Sequence, residues 1–449
     1  MGMFLEGVPM TKLAERMRTR VFACLVTLAP IFVIAGTATG QNVSPDHYEG
    51  LRYRHIGPVG NRIASVAGVS GNPHIYYVGA ASGGVWKTVD GGLFWEPVFD
   101  DYPSHSIGAL AVAASDPEIV WAGTGEPHIR SNVTIGDGVW KSTDGGETWR
   151  NMGLGATGRI SRVLIHPTNP NIVWVGALGH AHAPQPERGV YRTMDGGDSW
   201  EHVLFVDENT GASSVEVDPN NPRILYAGMW HVIVNTWGRE SGGPGSGLYV
   251  SRDAGDTWNK LEGNGLPLRT IGKVDVCVTP ADSNRIYALI ETGDGVPLNG
   301  EETDNGELWR SDDGAKTWQL VTYNQNFGGR TAYYNNCAVA PDDPDEAYFL
   351  TAPLVKSIDG GQTGIVQTGR RRPGGDNHDI WIDPTNGDRM IIGNDGGLAI
   401  SENRGETWLR VNLPIAQMYH VTTDTKVPYN VYGNRQDGPS FRGPSNSRT

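Results

Sequence analysis

An eight-residue segment that recurs seven times constrains this 449-residue chain more than any other feature. It reads TVDGGLFW at 88–95, and the related segments, called box turns below, follow at intervals of about 50 residues. Such a period is typical of the blades of a β-propeller, each a four-stranded sheet. The third positions of the seven box turns are Asp90, Asp144, Asp195, Asp253, Asp313, Asp359 and Asn403.

Each period repeats the same order of strand and turn signals. In the third period an alternating strand at 163–166 leads into the turn HPTNPN, whose Pro and Asn residues favour turn geometry. An apolar strand (IVWVGA) and a third strand (GVYRT) follow, and a fourth begins at the Trp of the box turn. The sequence therefore predicts an all-β fold, a seven-bladed β-propeller of four-stranded antiparallel blades over residues 41–413.

The residue types of the box turn suit a structural role. An Asp side chain accepts hydrogen bonds from nearby backbone N–H groups in a tight turn, and Ser or Thr acts in the same way. The glycines permit positive φ, and the Trp can pack between neighbouring sheets. We interpret the seven box turns as turn staples rather than as catalytic acids.

The first 40 residues have the pattern of an export signal. A flank with four basic residues precedes an apolar run at 21–35, and the small residues Ala38 and Gly40 suit signal cleavage. The alternative, a membrane anchor, is disfavoured because the run is shorter than the roughly 20 residues of a span. We predict a signal peptide at 1–40 and a secreted or periplasmic protein.

The net charge limits the choice of partners. The first 40 residues hold four of the 36 basic and two of the 50 acidic side chains, so the remaining chain carries a formal charge of −16. Such a surface disfavours nucleic acid and anionic membranes. We predict no nucleic-acid partner and no membrane contact after signal cleavage.

Two cysteines remain after export, Cys277 and Cys337, each in the first strand of its period. Cys277 lies three residues before Pro280, whereas Cys337 lies four residues before Pro341. Because side chains alternate along a strand, this offset predicts opposite sheet faces and no disulfide.

Long links between strands emerge on the face opposite the box turns, and such loops commonly carry function. Polar and aromatic residues are concentrated in or beside these links. The carboxylates that we consider as catalytic candidates are Glu126, Asp137, Asp376 and Asp379. The candidates for ligand binding are His128, Arg130, His180, His182, Trp230, His231, His378 and Trp381. Asp395 follows the last second strand on the same face.

Three interpretations of this set remain open. The residues solvate a polar loop face, or they bind a sugar or peptide around the central channel, or they catalyse a reaction. Catalysis needs paired carboxylates or a His–Asp metal cluster. HAH at 180–182 and NHD at 377–379 contain suitable ligands, but the sequence does not set their separation. We predict no metal and no cofactor.

The box turns, RHIGPVGNR at 54–62, DNHDIWIDP at 376–384 and YGNRQDG at 432–438 resemble a known group. The chain is similar to Asp-box (BNR) β-propellers, specifically to secreted bacterial sortilin N-terminal-like proteins that are often labelled glycosyl hydrolase-like. Members of this group usually continue further. The resemblance implies that residues 414–449 are the start of a further repeat or of a truncated second propeller. The alternative is that the strands predicted there seal the ring beside the entry segment at 51–56.

Two enzyme families with this fold have characteristic motifs that can be compared with this sequence. Xyloglucan-active members carry a catalytic Asp just ahead of a Gly-Gly pair in the first blade, where this chain has Ala81 or Ser82, and a second acid in a second propeller. The motif typical of sialidases is absent, its nearest approach being 62–64. We therefore predict an exported non-catalytic binding or assembly module for a protein, peptide or glycan ligand on the face opposite the box turns. The alternative is a glycoside hydrolase completed by a missing second propeller.

Overall fold

The computed structural model describes residues 44–48, 55–130, 133–292, 307–324, 326–436 and 438–446. The chain divides into two units between residues 54 and 55. In the first unit a short 3-10 helix spans Pro45–Tyr48. The predicted signal peptide at 1–40 lies outside the described residues. Within the described part of the chain, no helix is long and apolar enough to cross a membrane.

The second unit consists almost entirely of antiparallel strands, in sheets whose order follows the chain. The first sheet contains β1 (Ile63–Gly68), β2 (Tyr76–Ala80), β3 (Val85–Thr88) and β4 (Glu96–Pro97). The second contains β5 (Ile107–Ala113), β6 (Asp116–Thr124), β7 (Val139–Ser142) and β8 (Arg150–Asn151). The third contains β9 (Ile160–Ile165), β10 (Val173–Ala177), β11 (Gly189–Thr193) and β12 (Glu201–Leu204).

The fourth sheet has five strands because β15 pairs with an extension of β14. It contains β13 (Thr210–Val217), β14 (Leu225–Val234), β15 (Arg239–Ser241), β16 (Gly247–Ser251) and β17 (Asn259–Lys260). The fifth contains β18 (Val274–Val278), β19 (Ile286–Ile290), β20 (Leu308–Ser311) and β21 (Gln319–Thr322). Short 3-10 helices lie at Gly155–Thr157, before β9, and at Gly369–Arg371.

Two further four-stranded sheets and one three-stranded sheet follow. The sixth contains β22 (Asn336–Val339), β23 (Ala347–Leu350), β24 (Leu354–Ser357) and β25 (Ile365–Val366). The seventh contains β26 (Asn377–Asp383), β27 (Asn386–Asn394), β28 (Gly397–Ser401) and β29 (Leu409–Val411). The three-stranded sheet contains β30 (Met418–Thr423), β31 (Asn430–Arg435) and β32 (Ser440–Pro444).

The hydrophobic core lies between successive sheets rather than within a single sheet pair. The first strand of each of the seven sheets packs beside the first strand of the next, and β26 of the seventh packs beside β1. At that closure Val78 and Ile63 of the first sheet share a buried cluster with Ile391 and Leu398 of the seventh. Face-to-face packing of four-stranded sheets around a ring is the β-propeller fold, and the predicted all-β propeller class is confirmed.

The box turns are held by side-chain hydrogen bonds. In the second sheet, the Ser142 hydroxyl accepts from Gly146 N (2.8 Å) and donates to Asp144 Oδ1 (2.7 Å). The backbone N–H and the hydroxyl of Thr148 both donate to Asp144, at 2.9 and 2.6 Å. These bonds favour the ionised carboxylate, and the Thr148 hydroxyl contributes most to lowering the pKa of Asp144 to about 2.

Each box turn also bonds to the turn between the first two strands of its own sheet. Gly145 N donates to Glu118 O at 2.9 Å, and Gly196 N donates to Asn171 O at the same distance. The Pro/Asn turns and the box turns therefore share one face of the ring. The links between the second and third strands, and those between sheets, emerge on the other, which we call the loop face.

The box-turn Trp residues lie against the preceding sheet. The Trp149 indole donates to Val98 O (2.9 Å) of the first sheet, and its ring lies 5.3 Å from that of Phe99 in an edge-to-face arrangement. Trp200 makes the equivalent contact with Trp121 of the second sheet, at 6.0 Å. These rings join neighbouring sheets into a continuous packed ring.

The prediction that Cys277 and Cys337 do not pair is wrong. Their sulfurs form a disulfide with a Cα–Cα distance of 6.0 Å, and both residues are buried. The prediction from the one-residue offset holds only for two strands of the same sheet. They are instead the first strands, β18 and β22, of two stacked sheets, and stacked sheets meet through opposite faces. The one-residue offset therefore brings the two side chains together.

Candidate functional site

Polar side chains from four sheets meet on the loop face near the ring axis. Arg62 directly precedes β1, and its Nη2 donates to Glu126 Oε1 of the β6–β7 link at 2.9 Å. Arg62 also donates to the hydroxyl of Tyr333, which lies in the link before β22, at 3.5 Å. The Tyr333 hydroxyl in turn donates to Asp395 of the β27–β28 turn at 2.8 Å. Links that are far apart in sequence thus form one connected network.

Asp395 is a carboxylate of this network that accepts two side-chain hydrogen bonds. Its Oδ1 accepts a 2.6 Å hydrogen bond from Nε2 of His378, whose side chain is fully buried, while Asp395 itself remains 26% exposed. Burial alone would raise the pKa of Asp395, but His378, the Tyr333 hydroxyl and the charge of Arg62 outweigh it and lower the pKa. Asp395 is therefore an ionised carboxylate that reaches solvent.

Asp376 is a second carboxylate beside it. Its backbone adopts a left-handed conformation (φ 60°), anchored by a 2.9 Å bond from its N–H to Ala352 O. The Tyr334 hydroxyl donates to Asp376 Oδ1. Burial raises the pKa of the Tyr334 phenol, and the bond to Asp376 raises it further, so Tyr334 is a neutral donor at physiological pH. Asp395 N donates to Asp376 O at 3.1 Å, which fixes the two residues side by side.

Asp376 and Asp395 line the same open cleft, which has a volume of about 270 Å³. Its other walls present hydrogen-bonding groups from the start of β1 and from the three-stranded sheet. The lining residues are Gly60, Asn61, Arg62, Asp376, Asp395, Gly396, Gln417, Arg435 and Gln436. The cleft is therefore a polar groove with two carboxyl groups on one wall.

The other catalytic candidates do not line this cleft. Glu126 is buried between Arg62 and Arg130, and burial raises its pKa although both guanidinium groups oppose that change. Asp379 lies deeper, where it accepts from Val66 N and Arg162 Nη1, both at 2.9 Å. Asp137 accepts from the Trp140 indole at 3.0 Å within the second sheet. These three carboxylates are engaged by neighbouring donor groups away from the cleft lining.

Arg130 connects the second sheet to the three-stranded sheet. Besides its contact with Glu126, its guanidinium donates to Gln436 Oε1 (2.9 Å) and Gln417 Oε1 (3.1 Å). Arg130 therefore holds the far wall of the cleft.

The histidine candidates are dispersed. His128 is buried, with its ring 4.6 Å from that of His378 and its Nε2 donating to Ala64 O at 3.2 Å. Burial lowers the pKa of His128 well below its usual value, so it is neutral. His180 and His182 lie on another link and His231 lies in β14, and none of the three lines the cleft. Among the described residues, no group of three or more His, Cys, Asp and Glu side chains is arranged to hold a metal ion.

The two tryptophans that we predicted as ligand platforms do not line the cleft, and Trp381 is only half-buried. Trp230 is fully buried, and its indole donates to the Ser241 hydroxyl at 2.9 Å. Trp381 packs at the junction of the seventh and first sheets, 6.3 Å from the Tyr76 ring and 5.1 Å from the Arg389 guanidinium. Both residues lie within strands, Trp230 in β14 and Trp381 in β26, rather than in the links that precede or follow them.

Arg62, Tyr333 and Tyr334 belong to the site although the sequence pattern did not predict them there. Arg62 was considered only for a motif of another family, and the tyrosines lie in a link of ordinary length. The sequence did contain one indication of their position. Tyr333 and Tyr334 lie shortly before the first strand of a sheet, as Asp376 does. Residues at that position lie on the loop face beside the ring axis.

No protein-family model matches the sequence. A xyloglucanase of Hypocrea jecorina is 29% identical over 235 residues, which are 49% of this chain and 25% of that protein. The xyloglucanase Xgh74A of Acetivibrio thermocellus is 25% identical over 226 residues, 46% of this chain and 25% of the relative. The matched part thus spans about a quarter of the length of these relatives.

Among solved structures, the GH74 xyloglucanase of Xanthomonas campestris has a similar fold. Its TM-score is 0.62 at 17% identity, and the alignment covers 87% of this chain and 60% of that one. At this identity the likeness concerns the fold alone, and it supports the β-propeller. The sequence relatives carry names of enzymes that act on a glycan. They contradict the prediction of a non-catalytic binding module and favour the alternative, a glycoside hydrolase.

Proposed function

We propose that the protein is a glycoside hydrolase that cleaves a β-glucan of the xyloglucan type in the cleft lined by Asp376 and Asp395. The observation that carries this proposal is the pair of carboxylates on one wall of an open polar groove. Glycoside hydrolysis commonly uses two carboxyl groups beside the scissile bond, one as a proton donor and one as a nucleophile or base. The similarity to xyloglucanases supplies the substrate class.

The surroundings of the two carboxylates differ, and those of Asp395 indicate its role. Asp395 receives hydrogen bonds from His378 and Tyr333 and lies near the Arg62 charge, all of which stabilise its ionised form. Asp376 receives one side-chain bond, from the neutral Tyr334 hydroxyl. Different surroundings commonly separate the acid from the base in such pairs. Asp395 then acts as nucleophile or base, and Asp376 is the second carboxyl group beside the scissile bond.

The rest of the cleft suits a neutral, hydroxyl-rich ligand. Arg62, Asn61 and Arg435 present donors, and the side-chain amides of Gln417 and Gln436 offer both donors and acceptors. This arrangement differs from the xyloglucanase pattern described above, because both carboxylates come from the link before the seventh sheet and from that sheet itself. The Ala81 and Ser82 positions of the first sheet then need no acid.

Asp395→Asn and Asp376→Asn test this assignment. We expect each substitution to lower the rate of xyloglucan cleavage by about a hundredfold or more, as removal of a general acid or base does. Asp198→Asn, at an exposed box-turn carboxylate, is the matched control and should retain full activity. Binding of a xyloglucan oligosaccharide should persist in Asp395→Asn. Full activity in both cleft variants would refute the assignment.

The finer resemblance to secreted sortilin N-terminal-like Asp-box proteins belongs to the same proposal. Export places such an enzyme where polysaccharides occur, so the predicted signal peptide is compatible with this substrate class. Whether residues 414–449 begin a second propeller stays a prediction; the three-stranded sheet already contributes Gln417, Arg435 and Gln436 to the cleft.

A further inference from the structure

The first box turn differs from the other six at its tip. Leu93 and Phe94 occupy its sixth and seventh positions, and their side chains are 71% and 77% exposed. The corresponding pairs in the other box turns are polar. They are Glu147–Thr148, Asp198–Ser199, Asp256–Thr257, Lys316–Thr317, Gln362–Thr363 and Glu406–Thr407.

This difference removes a stabilising hydrogen bond. In five box turns the Ser or Thr hydroxyl donates to Oδ2 of the turn aspartate at 2.6 Å. Phe94 has no hydroxyl, so Asp90 receives only the backbone N–H groups of Leu93 and Phe94 and the Thr88 hydroxyl, all on Oδ1. The first box turn thus exposes two apolar side chains and lacks a bond that its own repeats contain. A feature that lowers stability at a surface commonly serves binding.

A groove runs beside this tip between the first and second sheets, with a volume of about 480 Å³. Its apolar part consists of Val89, Phe94, Pro97, Val98 and Tyr102. Its charged rim carries five carboxylates and one lysine, which are Asp90, Glu96, Asp100, Asp101, Glu147 and Lys87. The groove is therefore apolar along one side and strongly acidic around it. It lies beside the fourth strand of the first sheet and shares no lining residue with the cleft of Asp376 and Asp395.

We infer that this groove binds a basic peptide segment, with an apolar side chain of the peptide packed against Phe94, beside the exposed Leu93. Charge complementarity selects this ligand class, because five carboxylates against one lysine attract arginine and lysine side chains. An apolar anchor within a charged rim is the usual arrangement of a protein contact site. A neutral glycan would gain nothing from the excess of negative charge.

The double substitution Leu93→Glu and Phe94→Thr tests this inference, because it gives the first box turn the DGGETW sequence of the second. We expect the variant to fold and to melt at a higher temperature than the wild type, since the introduced threonine restores the missing hydroxyl. Its affinity for a fluorescein-labelled peptide of alternating arginine and leucine, measured by fluorescence polarisation, should fall about tenfold or more. Met194→Thr, at an exposed apolar position of the third box turn, should leave the affinity unchanged.

The added glutamate makes the outcome decisive. Attraction by charge alone predicts tighter binding of the basic peptide to the variant, so unchanged or increased affinity would overturn the inference. Binding of xyloglucan oligosaccharides that is lost in the variant, without peptide binding to the wild type, would overturn it in favour of a glycan groove. The inference is independent of hydrolysis, since the variant should cleave xyloglucan at the wild-type rate.

Discussion

Replacing Trp149 by Ala tests whether the box-turn tryptophans stabilise the ring. The Trp149 side chain is 6% exposed, packs edge-to-face on Phe99, and donates its indole N–H to Val98 O and Gly146 O. Truncating a buried Trp typically costs about 3–5 kcal/mol. Because the backbone carbonyls also lose their donor, we expect a loss of about 4 kcal/mol. For a unit of about 400 residues this corresponds to a melting temperature about 5 °C lower.

Trp237→Ala is the matched control, because Trp237 is 86% exposed. Urea denaturation followed by circular dichroism gives the free energy of unfolding of both variants beside the wild type. We expect the control to change it by less than about 0.5 kcal/mol. A loss below about 1.5 kcal/mol for Trp149→Ala, or equal losses for both variants, would refute the role of these tryptophans in packing between sheets.

Two further predictions concern stability. The Cys277–Cys337 disulfide closes a loop with a sequence separation of 60, so replacing both cysteines by Ser should lower the free energy of unfolding by about 4 kcal/mol; an unchanged unfolding midpoint with and without reductant would contradict the bond. The pKa of Asp144 is about 2 in the fold against an ordinary value of 3.8, so its contribution to stability is present above pH 3.8 and is lost as the pH falls through 2. Asp144→Asn should therefore show a weaker decline of stability between pH 5 and pH 2 than the wild type; equal pH profiles would show that the box-turn carboxylate does not contribute.

The repeat pattern was sufficient to predict the fold class, because each period contains its own strand and turn signals. The hydrogen bonds around Asp144 and the packing of Trp149 follow from residue types within a single box turn. The disulfide could not be predicted by the same local reasoning. Its geometry depends on how the sheets that contain Cys277 and Cys337 stack, and strand alternation within one sheet says nothing about that stacking.

The site was harder to predict than the fold, since its residues come from separate periods. Of the four carboxylates predicted as catalytic candidates, Asp376 lines the cleft, and its role there stays a prediction. Which links approach the ring axis depends on loop conformations, and these brought Tyr333 and Arg62 to Asp395 while leaving His180 and His182 apart. Burial was equally hard to foresee, because Trp230 lies inside the extended strand β14 and is fully buried rather than exposed on a link.

Incubation of the purified protein with xyloglucan in ¹⁸O-labelled water, followed by mass spectrometry, tests the central claim most directly. Hydrolysis places one solvent oxygen at each new reducing end, so the account predicts shorter oligosaccharides with one ¹⁸O per cleavage, and no such products from the folded Asp376→Asn/Asp395→Asn double variant. Intact polymer after incubation with the folded wild-type protein, or labelled products of equal yield from the double variant, would contradict the assignment of this cleft as a hydrolase active site.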